Sequence, residues 1–257
     1  MVSEAFPSFA ATAAALALCL ALERVAPHER MRASWLANAG LWAVATGLRA
    51  LVFGGAEWQV ARWTEESAFG LLAVARAPLF AAIPATVLGL DLVSYLWHRA
   101  NHRVPFLWRF HRVHHADPVV TAATSLRFHP VEILLSLPVR LAAIALLGAP
   151  LAGVAVFEAV FGASNALEHG NFDLPARAER ALERALITPA LHRRHHSVSR
   201  AEHDSNYGTI FAFWDRLGRS LCPGRSRDHF PIGLPAGATG EPRSLVAMLV
   251  EPFRSTR

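Results

Sequence analysis

Residues 79–102 read LFAAIPATVLGLDLVSYLWHRANH, an apolar run that ends in two histidines, His98 and His102. A membrane-spanning helix needs roughly 20 apolar residues. The run closes a longer apolar stretch at 69–97, interrupted by Arg76, Pro78 and Pro84, so the span is expected at about 79–97. Four more apolar stretches flank it, at about 6–22, 36–53, 131–147 and 151–167. The last two are short and separated by Gly148-Ala149-Pro150, a turn signal. They read as a hairpin that enters the bilayer and returns. The expected fold is all-α, an integral membrane bundle of four or five hydrophobic helices.

Composition agrees. Of 257 residues, 53% are hydrophobic and the mean hydropathy is +0.28, too apolar for an average soluble domain. All 25 basic residues are arginine, in an Ala-rich chain with a formal charge of +5, which fits a GC-rich genome. No basic stretch is interleaved with stacking aromatics, so no nucleic-acid partner is expected. An anionic inner leaflet is the simpler partner. Cys19 and Cys222 lie too far apart in sequence for a CxxC site or a disulfide framework and are expected as free thiols. The run at 9–22 has no basic segment before it and no small-x-small site after it, so a retained span is expected rather than a cleaved leader.

Charge sets the expected orientation. Segment 99–127 carries Arg99, Arg103, Arg109, Arg112 and Arg127 against Asp117, and segment 173–228 is also rich in arginine. Region 57–66, read as a loop, holds Glu57, Glu65 and Glu66 against Arg62. Positive loops stay inside, which puts the Arg-rich segments in the cytoplasm and the chain in a bacterial inner membrane. Five crossings with the N-terminus outside satisfy this. Four with the N-terminus inside also do, if one early stretch lies on the surface.

The thirteen histidines are unevenly placed. His98 and His102 form His-x3-His. His111, His114 and His115 form His-x2-His-His, and His192, His195 and His196 repeat it. His169 follows the hairpin. Residues three and four apart share a helix face, so each cluster is expected to aim its imidazoles at one point. Imidazole is a common ligand for iron, copper and zinc. Eight or nine imidazoles exceed the needs of one metal, which implies two. The even number of crossings in the hairpin returns His169 and the third cluster to the face of the first two. The expected bundle therefore carries a cytoplasmic helical cap with a histidine-rich two-metal site.

Supporting residues are also legible. Asp91, Tyr95, His98 and His102 form one helical stripe. A carboxylate in an apolar span faces the protein interior, so Asp91 could orient a metal-binding imidazole or pair with an arginine. Glu158, Gly162, Asn165 and His169 form a similar stripe. Glu158 could lie behind a ligand or line a substrate path, and Asn165 could reach a metal or simply pack. His129 could be a further imidazole or could cap the helix that Pro130 begins. His28, His203 and His229 read as ordinary surface or core residues.

With these motifs in hand, the chain resembles the fatty acid hydroxylase/sterol desaturase family of membrane di-iron enzymes. The resemblance rests on Asp91 to His102, His111-Arg-Val-His-His115 and His192-Arg-Arg-His-His-Ser197. Asn206-Tyr207-Gly208 and Phe213-Trp214-Asp215-Arg216-Leu217-Gly218 complete it. It covers about 79–221 as a catalytic domain, after N-terminal membrane helices at 1–78 and before a C-terminal tail at 222–257. It implies that His98, His102, His111, His114, His115, His192, His195 and His196 bind two irons, with His169 as a further ligand. It also implies hydroxylation or desaturation of a lipid with dioxygen and two electrons. The electrons would come from a separate electron-donor protein, because the fused haem domain of some relatives has no room here.

Two other readings compete. A membrane metal transporter should hold its ligands mid-membrane, whereas these follow the spans. A zinc-dependent hydrolase usually carries His-Glu-x-x-His, which none of the clusters contains.

Overall fold

The computed structural model describes residues 2–30, 34–224, 228–234 and 244–254, with side chains from residue 9 onward. Of the tail expected at 222–257, only residues 222–224, 228–234 and 244–254 fall within it. The molecule is all-α, and among the described residues only isolated β-bridges occur. Five long helices make the bundle: α1 (Val2–Val25), α2 (Trp35–Phe53), and, after α3 (Ala56–Ser67) and α4 (Leu71–Val74), α5 (Leu79–Arg103), α7 (Pro130–Leu147) and α8 (Leu151–Glu168). Among the described residues, α2, α5, α7 and α8 are long and apolar enough to cross a membrane. Leu36, Leu51, Phe80 and Leu146 are exposed on them, as lipid-facing side chains should be. The protein is a multi-pass membrane protein.

Helix directions alternate. Cys19 Sγ donates to the Ala166 carbonyl, and Glu23 accepts from the Asn171 backbone N–H. A β-carbon added to Gly162 would meet Thr12. Rising numbers on α1 thus match rising numbers on α8, so the two are parallel and both end at the histidine face. The α7–α8 hairpin turns at Gly148, which caps α7 in the left-handed conformation at φ 68°. Gly70, at φ 102°, passes so close that a β-carbon there would collide with the Gly148 backbone. Glycine is the residue that tolerates both the positive φ and the contact. Region 57–66 is not a loop: it forms most of α3, which packs on the hairpin through the Thr64 Oγ1 bond to the Ala149 carbonyl. Its buried faces, Glu57, Ala61 and Thr64, recur at helical spacing, a pattern that its acidic content masks.

Short helices form the cap: α6 (Pro105–His115), α9 (Ala176–Leu182), α10 (Pro189–His195), α11 (Arg200–His203) and α12 (Phe213–Leu217), with α13 (Leu245–Val250) against α2. A buried polar knot joins cap to bundle. Arg127 Nε donates to the Val113 carbonyl and its Nη1 to Asn38 Oδ1, while Asn38 Nδ2 and Thr124 Oγ1 both donate to Asp117. Arg127 is fully buried, and a buried charge is tolerable only when paired and bonded in this way.

Candidate metal centre

Three elements present the motif histidines, and His169 caps α8. The end of α5 carries His98 and His102, α6 carries His111, His114 and His115, and α10 and its C-cap carry the last three. Pro105 opens α6 and Pro189 opens α10, the latter with Thr188 accepting from the Leu191 N–H as N-cap. Proline fits a first helical turn, so both short helices start at fixed points.

The nine imidazoles sort into two groups by space, not by motif. His98, His102, His111, His115 and His195 form one, and His114, His169, His192 and His196 the other. Within each group the ligand atoms lie within 4.8 Å of one another. The motifs therefore do not each aim at one point. At 3.6 residues per turn, neighbours diverge by roughly 100°, so His114 and His115 face different groups. The i,i+4 pair His111 and His115 shares one group, and His192 and His196 the other.

Hydrogen bonds to carbonyls decide the tautomers. Nδ1–H of His98 donates to the Tyr207 carbonyl at 2.8 Å, of His195 to Ser205 at 2.6 Å, and of His169 to Asn165 at 2.6 Å. His111 Nδ1 donates to Glu132 Oε1 at 2.7 Å. A carbonyl can only accept, so in the first three Nε2 is left as a bare lone pair. Nε2 of His98, His111 and His195 is buried without a partner. In the second group, the His114 and His169 Nε2 atoms are 3.1 Å apart, His169 and His192 2.9 Å, and His192 and His196 3.2 Å. Metal–nitrogen bonds of ~2.0–2.1 Å put adjacent ligand nitrogens about 3 Å apart. Converging lone pairs at that spacing fit a cation between them.

Burial, reinforced by neighbouring imidazoles, pushes His114, His115, His192, His195 and His196 well below the ordinary histidine range. Burial takes His169 down to about 4. Neutral imidazole is the ligating form, so the cap holds these rings ready for a metal at neutral pH.

The residues expected to support the ligands do other work. Asp91 orients no histidine. Its carboxylate accepts from the Ile210 and Phe211 N–H groups and from Trp214 Nε1, because the Asn206–Trp214 segment folds over α5 and brings three donors nearer than any ring. Glu158 accepts from Arg140 Nη1 at 2.8 Å, some distance along the bundle from the imidazoles, and of its two expected places it takes the one on the cavity wall. The Asn165 amide donates to the Ser125 carbonyl, and it is its backbone carbonyl that holds His169. His129 is a cap: its Nδ1 accepts from the Val131 N–H and its Nε2 contacts the Leu249 carbonyl, so both nitrogens are engaged away from the two groups.

Other residues fill the supporting roles. Glu132 also accepts from the Asn101 amide. Glu168 lies 3.8 Å from His169 Nδ1 and 3.7 Å from His192 Nδ1. Asp204 Oδ1 lies 3.7 Å from His102 Nδ1. The His203 ring lies edge-on 4.8 Å from His102 and tilted 4.6 Å from His115, and burial pushes it down to about 4. His203, with Asp204, thus adjoins the first group and is no ordinary surface residue. The nearest sequence signals were carboxylates next to histidines, Glu168 before His169 and Asp204 after His203.

The Asn206-Tyr207-Gly208 motif locks the cap. Asn206 sits at φ 52°, a left-handed conformation that asparagine tolerates. Its amide donates to the Leu191 and Cys222 carbonyls and its Oδ1 accepts from the Cys222 N–H. Asp215 accepts from the Tyr207 and Gly208 N–H groups, which fixes the Tyr207 carbonyl that holds His98.

A cavity of about 280 Å³ opens on both groups, touching His98, His111, His114, His169 and His192. Most of its remaining wall is apolar. Trp42 on α2 and Val139 on α7 line it and are themselves 45% and 40% exposed on the outer surface, so it reaches the lipid-facing side of the bundle.

Fold and site together define a class: an all-α membrane bundle with two buried histidine groups, able to hold metal ions, at one end of a cavity. The fatty acid hydroxylase family profile matches residues 83–220, more than half of the chain, and the chain belongs to that family. It is 34% identical over 172 residues to ornithine lipid hydroxylase OlsE of Rhizobium tropici, covering 65% of this chain and 50% of that one. It is 29% identical over 150 residues to alkylglycerol monooxygenase of Danio rerio, 58% of this chain and 32% of that one. It is 28% identical over 132 residues to lathosterol oxidase of Mus musculus, 51% of this chain and 42% of that one. The chain thus spans half the length of the first relative and less of the others. No solved structure matches it.

Proposed function

We propose that this protein is a di-iron oxygenase that hydroxylates or desaturates a membrane lipid, with dioxygen as co-substrate and two electrons from a separate donor protein. The observation that carries the reading is the convergence of nine imidazoles in groups of five and four, both of which border one cavity. The catalytic unit is taken as 79–221, supported by the family match at 83–220.

His98, His102, His111, His115 and His195 would hold one iron, and His114, His169, His192 and His196 the other. The bound pair would supply dioxygen activation and removal of hydrogen from an unactivated C–H bond. The chain's own residues do the rest. The carbonyls of Tyr207, Ser205 and Asn165 and the Glu132 carboxylate fix ring orientation, as partners behind metal ligands do. Val93, Trp97, Leu126, Ile133, Leu137 and Phe161 exclude water and hold an aliphatic chain. Trp42 and Val139 mark where that chain would enter from the bilayer. The Arg-rich segments beside the histidines support a cytoplasmic active face. The similarity to lipid hydroxylases and sterol oxidases supports a lipid substrate.

Metal analysis of purified protein combined with lipid turnover tests the reading. Two irons per chain and oxygen-dependent oxidation of an added membrane-lipid extract are expected. One zinc per chain with no oxidation would overturn it. A metal-transport reading is disfavoured because the histidine groups lie at the helix ends.

A further inference from the structure

Four charged side chains meet inside the bundle, away from the histidines. Arg49 Nη2 on α2 pairs with Glu57 Oε2 on α3, and Arg140 Nη1 on α7 pairs with Glu158 Oε1 on α8 at 2.8 Å. All four line the cavity that touches the imidazoles. Arg140 lies eight residues past Glu132 on α7, and Glu158 ten before Glu168 on α8. At 1.5 Å per residue the quartet is ~12–15 Å along the helices from the histidine end. The hairpin turn at Gly148 lies about as far again beyond it. Two cations and two anions thus sit near the middle of the bundle, where ionisable groups are costly and mark function.

The pairing is incomplete. Glu57 is 2% exposed, yet its Oε1 has no hydrogen-bond partner, and Arg140 Nη1 stays 4.0 Å away. A buried carboxylate oxygen without a donor is unfavourable. Glu57 lines a cavity whose other end is the candidate metal centre and whose wall between them carries Trp97, Leu137 and Phe161. The arrangement is that of a site for an amphiphile: an acceptor at one end, an alkyl-sized channel, and the reacting end at the imidazoles.

We propose that Arg49, Glu57, Arg140 and Glu158 form a polar anchor that selects substrates. A hydroxyl or amide N–H of the lipid donates to a carboxylate of this quartet, whose four members all line the cavity, and the chain runs from there to the histidines. The anchor fixes which carbon is presented, since it sets the distance between the polar group and the oxidised position. This rests on the reading that the cavity receives the lipid.

Tryptophan fluorescence tests the anchor, because Trp42 and Trp97 line the cavity and bromine quenches indole on contact. The probes are ω-bromododecanol, its methyl ether, and bromododecane, added to the purified protein. The alcohol is expected to bind about ten-fold more tightly than the ether or the alkane, the factor that one hydrogen bond to a charged group supplies. Replacing a charge pair as a unit avoids leaving one ion unpaired, so the variant is Arg49→Leu with Glu57→Leu. It should bind bromododecane as the wild type does and lose the preference for the alcohol. Equal quenching by alcohol and ether in the wild type, or a preference that survives in the double variant, overturns the anchor. Lipid oxidation is scored separately. A protein that oxidises no lipid but discriminates the probes would count against the oxygenase reading alone.

Discussion

His111 Nδ1 lies 2.7 Å from Glu132 Oε1, which ties the second histidine motif to the first turn of the membrane hairpin. The same oxygen accepts from the Asn101 amide on α5. One carboxylate therefore sets a ring in the cap against two helices of the bundle. Removing such a partner typically costs 10–100-fold in metal affinity. Glu132→Ala should weaken metal retention by about that factor in competition with a chelator, and Glu132→Gln by less. Unchanged retention in Glu132→Ala would show that His111 needs no orienting.

His114 and His195 come from different motifs and fall in different groups. Substituting either with alanine should lower metal content and abolish turnover. Metal content per chain and lipid oxidation are the readouts. A variant with full iron and full turnover would remove that residue from the ligand set.

Asp91 should matter for folding more than for metal. Its carboxylate satisfies two backbone N–H groups and an indole N–H. Leaving buried donors unsatisfied costs about 1–3 kcal/mol. Asp91→Ala should lower the unfolding temperature in detergent, while the folded fraction keeps its metal affinity. A ten-fold loss of affinity at unchanged thermal stability would restore a ligand-orienting role.

The metal-free protein should lose stability as the pH falls. Burial holds His169 and His203 down to about 4, from an ordinary value of 6.5. In the unfolded chain both take up protons as the pH drops through about 6.5. In the folded protein they do so only near 4. Between these values the unfolded state binds more protons, so stability decreases with decreasing pH. Thermal unfolding of the metal-free protein should shift steadily downward across that window. A flat profile would mean that these rings are already open to water.

The sequence by itself determined the helical membrane bundle, the hairpin turn at Gly148-Ala149-Pro150, the return of His169 to the histidine face, and the family. Those features are written locally, in runs of apolar residues and in i,i+3 and i,i+4 spacing. Only the tertiary structure decided how the nine imidazoles divide, because adjacent residues on a helix diverge and each group draws from separate helices. It also moved His129 to a helix cap and Asp91 to the 210–214 segment, and it brought His203 in beside His102 and His115. Glu132 and Glu168 reach rings 21 and 24 positions away (His111 and His192) across packed helices. Such partnerships depend on where a hydrogen-bond donor ends up in space, and no pattern along the chain encodes that. The Arg49–Glu57 and Arg140–Glu158 pairs follow the same rule, since four separate helices supply the four charges that converge on one cavity.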